Sequence, residues 1–230
     1  MPARSMSGSI VLNMPDHLGR RGLLTGGAAL LLGAAANSLP VPRGDRLLFQ
    51  LIRNNSVMGS HRLDFAPSSR SLVVTVNVLM ALYFGPFRIF HYAHHAVETW
   101  DGDECVSVVS QTDHDGKRYQ LVAKRDGMGW QVMGASGDVR APSDALPATH
   151  WNRQMLRGPM INTENGDILR PKIADLGPEM VPAFDAAPIR AEHFALSGDV
   201  QMDTWYDGTN SWAGAAFKGA DGSVIRYERA

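Results

Sequence analysis

The 230 residues carry 22 basic and 23 acidic side chains, a near-neutral balance with no basic stripe, which argues against a nucleic-acid-binding role. Cys105 is the sole cysteine, so an internal disulfide framework is excluded. The length suits one domain with a core large enough to fold without staples.

The chain opens with Arg20-Arg21, an apolar run from Leu23 to Ala36, and then small residues. A basic pair ahead of a short Gly- and Ala-rich apolar stretch has the form of a twin-arginine export signal. Gly22 to Ala36 spans about 15 residues, short of the roughly 20 that cross a bilayer core. Ala34-Ala35-Ala36 and Ala36-Asn37-Ser38 offer small-x-small cleavage sites. A general secretory signal is the alternative route, because Gly19 and Leu23 replace residues usual around the pair. Residues 1–38 are therefore expected to be a cleaved signal peptide and 39–230 a single periplasmic or otherwise exported β-rich domain. The twin-arginine translocase is the partner expected during export, and no integral membrane segment is expected.

Beyond residue 38, turn dipeptides recur: Asn54-Asn55, Asp101-Gly102, Asp115-Gly116, Asn165-Gly166, Asp207-Gly208 and Asp221-Gly222. Such pairs tolerate the positive φ of tight hairpins. The runs between them carry strand character: Leu47 to Arg53, His61 to Phe65, Leu72 to Tyr83, Arg88 to Trp100, Val106 to Thr112 and Arg118 to Lys124. Ile168 to Ile173, Ile189 to Leu196, Val200 to Tyr206, Trp212 to Lys218 and Val224 to Glu228 continue the pattern. Cys105 begins an apolar run and is expected to be a small core residue. Ala135 to Pro159 breaks the rhythm with Pro142, Pro147 and Pro159, and predicts a long irregular loop. Within it, Thr149 to Arg157 could form one helical turn capped by Thr149. The fold class expected is all-β: an antiparallel meander forming a curved sheet or open barrel, with one long loop and little helix.

Several blocks carry a resemblance. They are Leu47 to Phe65 with Gly59-Ser60-His61-Arg62, Phe84-Gly85-Pro86 to Glu98-Thr99-Trp100, the Asp115-Gly116 hairpin and Trp151-Asn152. Asn162-Thr163-Glu164-Asn165-Gly166, Trp205-Tyr206-Asp207 and Ile225-Arg226-Tyr227 follow in order. Together they resemble an uncharacterised family of exported bacterial proteins, domain of unknown function 6134. The resemblance implies a β-rich exported domain and supplies no activity. Where the family pattern has Tyr-Trp-Asn this chain has His150-Trp151-Asn152, so no role for His150 carries over.

The densest polar cluster is His91-Tyr92-Ala93-His94-His95-Ala96-Val97-Glu98. On a strand, Tyr92, His94, Ala96, Glu98 and Trp100 share one face, and His91 and His95 the other. His94 with Glu98 is then the candidate metal or acid–base pair, needing help from His114 or His150. The competing reading is a structural hydrogen-bonded pair. Trp151 and Asn152 either close a pocket or plug one end of the sheet. The candidate ligand-binding or polar-site residues are thus His94, Glu98, Trp100, Trp151 and Asn152. Nucleophile-elbow, zinc-protease and phosphate-loop motifs are missing, and no cofactor is expected.

These features rank a non-enzymatic module first, holding a lipid or other apolar or amphipathic ligand in a curved sheet. Aromatic residues Tyr83, Phe84, Phe87, Phe90 and Trp100 are candidates for its interior. A structural or assembly partner in the envelope comes next, then a periplasmic hydrolase, metal-assisted in one version, using His94 and Glu98.

Overall fold

A computed structural model describes residues 39–230. The signal-peptide reading of residues 1–38 lies outside the described residues. The first strands are β1 (Arg46–Arg53), β2 (Ser56–Pro67), β3 (Ser71–Phe84), β4 (Phe87–Asp101), β5 (Glu104–His114), β6 (Lys117–Asp126), β7 (Gly129–Gly134) and β8 (Gly137–Ala141). An inner segment then supplies three two-residue strands, β9 (Leu146–Pro147), β10 (Met160–Ile161) and β11 (Ile168–Leu169). The chain ends with β12 (Lys172–Ala183), β13 (Ala186–Ser197), β14 (Met202–Asp207), β15 (Trp212–Lys218) and β16 (Val224–Arg229).

Thirteen strands form one sheet in the order β12-β13-β14-β15-β16-β1-β2-β3-β4-β5-β6-β7-β8, and β11-β10-β9 form a second small sheet. Each neighbouring pair in the large sheet is antiparallel, so the expected meander is the observed topology. At one end the sheet curls until β12 touches β16 through Ala183 and Arg229. There Val181 covers Ala191 and Ala213 in a small secondary core.

The alternation predicted from sequence selects the concave face. Leu47, Phe49 and Leu51 of β1 are buried, as are Leu63 and Phe65 of β2 and Leu72, Val74, Val76 and Val78 of β3. Register extends this face into β4, where Val74, Val76 and Val78 lie opposite Glu98, Ala96 and His94. The Asn54-Asn55 and Asp115-Gly116 turns adopt the positive φ their residue types favour. Cys105 is fully buried, and burial pushes its thiol far above the ordinary range.

Four corrections to the sequence reading have clear causes. The stretch 135–159 is not all loop, because Gly137–Ala141 pairs with Gly129–Gly134 as a short hairpin. The expected strand at Ile168 to Ile173 divides into β11 and the start of β12. Prolines 178 and 182 hid the long β12, but an edge strand can accept them on its unpaired side. The helical turn is a 3-10 turn at Arg153–Arg157 capped by Asn152, whose Oδ1 accepts from the Gln154 N–H at 3.0 Å. Thr149 is turned the other way, toward Glu98.

Gly59 marks a point of close backbone approach beside the β1–β2 register shift at Leu51/Ile52. A Cβ there would collide with the Leu79 carbonyl, a backbone group that cannot rotate aside. Gly59→Ala is expected to cost about 1–3 kcal/mol by overpacking, read as a lowered urea midpoint at unchanged slope. A wild-type midpoint would show that the strands separate there freely.

Candidate binding site

The segment 142–169 crosses the concave side of the sheet and divides its interior. Near the β2–β3 and β4–β5 turns the interior is solid: Trp151 packs edge-on against Trp100 and Phe65, with ring centroids 5.2 Å apart in each pair. The segment is pinned at several points. Trp130 donates through Nε1 to the Ala145 carbonyl at 2.9 Å, and the Tyr206 hydroxyl donates to the His150 carbonyl at 2.8 Å.

Its central anchor is Glu98. This carboxylate is fully buried and accepts from Trp100 Nε1 at 2.8 Å, Trp151 Nε1 at 3.0 Å and the Thr149 hydroxyl. Burial pushes its pKa up, and the three neutral donors offset part of that rise. Glu98 therefore ties the inner segment to β4. Trp151 is the plug of the two readings offered above.

His94 sits two rows nearer the β3–β4 turn on the same face. Its Nδ1 meets Thr112 Oγ1 at 2.8 Å and its Nε2 meets Thr163 Oγ1 at 3.3 Å. Both ring nitrogens are thus engaged by hydroxyls, and Glu98 is engaged by indoles and a hydroxyl. No bond joins the two. His114, a suggested helper, pairs with Glu164 at 3.1 Å, and among the described residues no three His, Cys, Asp or Glu side chains are grouped to hold a metal ion.

Beyond the plug the interior opens. A cavity of about 700 Å³ lies between β1–β5, β13–β16 and the inner segment. Val76, Val78, Met80 and Phe90 form one wall, and Leu196, Met202 and Phe217 part of another. Its charged lining residues are Glu164 of the inner segment and, at or beside the β1–β2 and β15–β16 turns, Arg53, Lys218 and Asp221. The volume is that of a site for one small ligand, and the lining is predominantly apolar with a few polar groups.

Three histidines stand among the polar groups of the lining, with Thr149, Asn162 and Thr163. His61, His94 and His150 all line the cavity. Burial holds His61 well below the ordinary imidazole range, with His150 and His94 adding repulsion. Burial, with His95 contributing, brings His94 down to about 4, and burial alone brings His150 to about 4. All three are neutral at pH 7. Trp212 supports two of them, His61, which sequence reasoning missed, and His150, which it named only as a helper: His150 stacks on it at 5.3 Å and His61 meets it edge-on at 5.1 Å. Neither ring nitrogen of His61, nor Nδ1 of His150, has a hydrogen-bond partner within the protein.

Of the five candidate residues, His94 alone lines this cavity. Glu98, Trp100, Trp151 and Asn152 are buried in and around the plug. The aromatic candidates divide likewise: Phe90 faces the cavity, Trp100 is core, and Tyr83, Phe84 and Phe87 are exposed at the β3–β4 tip. They lie where the β3–β4 pairing continues past the last pairs of β3 with β2 and of β4 with β5.

A strongly curved, barrel-like antiparallel sheet around an apolar cavity is the class that fold and site define. The chain belongs to the family "Domain of unknown function (DUF6134)", which it matches over residues 49–230. No curated protein matches it. Among solved structures it is similar to the β-barrel-like protein of domain of unknown function DUF1849 from Brucella abortus. That likeness has a TM-score of 0.57 at 10% identity, covering 80% of this chain and 94% of the other, and shows the fold. Among the described residues no helix is long and apolar enough to cross a membrane.

Proposed function

We propose that this is an exported, non-enzymatic module that holds one apolar or amphipathic molecule, a lipid or a compound of similar character, in the concave cavity. The observation that carries the reading is the 700 Å³ apolar space open beside the plug. A sheet curved this far has an inner face too wide for its own side chains to fill once the inner segment occupies only one end. Export rests on Arg20-Arg21 and the apolar run after them. The hydrolase alternative draws no support from His94 and Glu98, whose polar atoms are engaged separately.

Val78 lies on the cavity wall at the edge of the core, so Val78→Trp places an indole in the space. The uncharged probe 1-N-phenylnaphthylamine is expected to bind the wild type at one per chain with a fluorescence rise. The variant should bind it about tenfold or more weakly, near 1.4 kcal/mol, while keeping its melting temperature. Equal binding by a folded variant would place the probe elsewhere and contradict the proposal.

A further inference from the structure

The β3–β4 hairpin carries a second surface. Beyond Ala81 and His91 it pairs only with itself, through Leu82–Phe90, Tyr83–Arg88 and Phe84–Phe87. At about 3.3 Å per residue the tip extends roughly 10 Å past its last pairings with the neighbouring strands. Tyr83, Phe84, Phe87 and Ile89 are 64%, 76%, 70% and 63% exposed. Exposed aromatics are ordinary singly, but four large apolar side chains within seven residues form a patch that demands a partner.

We propose that this tip inserts into the interfacial layer of a lipid membrane containing anionic headgroups. Three observations favour lipid over protein. The tip is a narrow protrusion of seven residues, whereas a stable protein interface uses about 20–30 residues a side. Phe and Tyr at a polar–apolar boundary suit the headgroup level of a bilayer. Cations accompany them: Arg88 lies within the tip, and Lys117 and Lys218 are exposed on neighbouring turns at the same end. Of the acidic residues at this end, Asp221 pairs with Arg53 and Glu164 with His114; Asp113, Asp115 and Asp199 accept backbone N–H groups at other turns, and none lies within the tip itself.

The tip also adjoins the mouth. Leu82, Ile89 and Phe90 line the cavity directly behind it. A tip seated in the interface sets the cavity opening against the acyl region, so an apolar ligand passes between membrane and cavity without crossing water. This last step rests on the cavity reading; the membrane contact itself does not.

The test is co-sedimentation of the protein, without its signal segment, with vesicles of phosphatidylcholine and phosphatidylglycerol at roughly three to one. Wild type is expected to bind, and Phe84→Ser with Phe87→Ser to weaken binding about tenfold or more. Arg88→Glu should weaken binding to these vesicles and have little effect on pure phosphatidylcholine. Both variants change exposed residues and are expected to keep 1-N-phenylnaphthylamine uptake, which separates docking from cavity function. Absence of wild-type binding, or binding untouched by the double substitution, overturns the proposal. Self-association in analytical ultracentrifugation, abolished by the double substitution and without vesicle binding, assigns the tip to a second copy instead and also overturns it.

Discussion

Glu98→Ala is expected to lower the melting temperature by roughly 10 °C, the largest effect of any single truncation at the plug. The substitution removes the common acceptor of Trp100, Trp151 and Thr149 and leaves their donors buried without partners. Each orphaned donor costs about 1–3 kcal/mol, so a total near 4 kcal/mol follows even if one finds water. Glu98→Gln should be milder, because its carbonyl still accepts from the indoles while its amide donates to the Thr149 hydroxyl. The consequence extends beyond stability. Trp151 and Thr149 hold the inner segment against β4, and Thr149 and His150 line the cavity. Loss of the anchor should therefore raise proteolytic cleavage within 142–159 before the sheet unfolds. An alanine variant that melts with the wild type would show that the segment is held elsewhere.

The second large effect is acid lability, and its sign follows from the three cavity histidines, His61 and His94 buried and His150 half-buried. In the unfolded chain each binds a proton near pH 6.5; in the folded chain His94 and His150 do so only near 4, and His61 well below its ordinary value. Between these values the unfolded state binds more protons, so stability is complete above about pH 6.5 and is lost as pH falls toward 4. His94 and His150 each account for on the order of 3 kcal/mol at pH 4. That loss is comparable with the whole stability of an ordinary domain.

Glu98 works in the opposite sense. Its raised folded pKa favours the folded state at low pH, and that contribution disappears as pH rises through the folded value. Asp221, held down to about 2 by the Ser223 hydroxyl and N–H and by Arg53, acts only below its ordinary value of 3.8. The histidine window is thus separate, and unfolding between about pH 6 and 4 is the expected result. His61→Phe should flatten the pH profile and leave the pH 7 melting temperature equal or higher, because two unpartnered ring nitrogens are removed. A melting temperature independent of pH across this range would contradict buried neutral histidines.

Much of this architecture was legible in the residues themselves. The Asn-Asn and Asp-Gly pairs marked hairpin turns because few other pairs accept their backbone, and the alternation Tyr92-His94-Ala96-Glu98-Trp100 correctly put these side chains on one face. The strands that escaped notice were β7 and β8, short and Gly-bounded, the two-residue β9 and β10, and all but the start of β12, whose prolines argue against a strand unless it is known to be an edge.

The site was harder to foresee. His94 and Glu98 sit close in sequence on one face, which suggested a shared chemistry. Apart from Trp100 on the same strand, their partners Thr112, Thr163, Thr149 and Trp151 come from other elements and divide the pair between cavity and plug. His61 and His150 are 89 positions apart and meet only through Trp212. A signal for His61 existed: it occupies a core-facing position in the alternation His61-Leu63-Phe65. His150 was named only as a helper to His94, since its place against Trp212 depends on how the inner segment crosses the sheet.

The ligand-holding cavity is the central claim, and native mass spectrometry of the protein purified from its source cells without detergent tests it most directly. The account predicts a fraction of wild-type molecules carrying one apolar adduct of lipid-like mass, with Val78→Trp carrying none. A bare mass for wild type, together with no 1-N-phenylnaphthylamine taken up at one per chain, would contradict it.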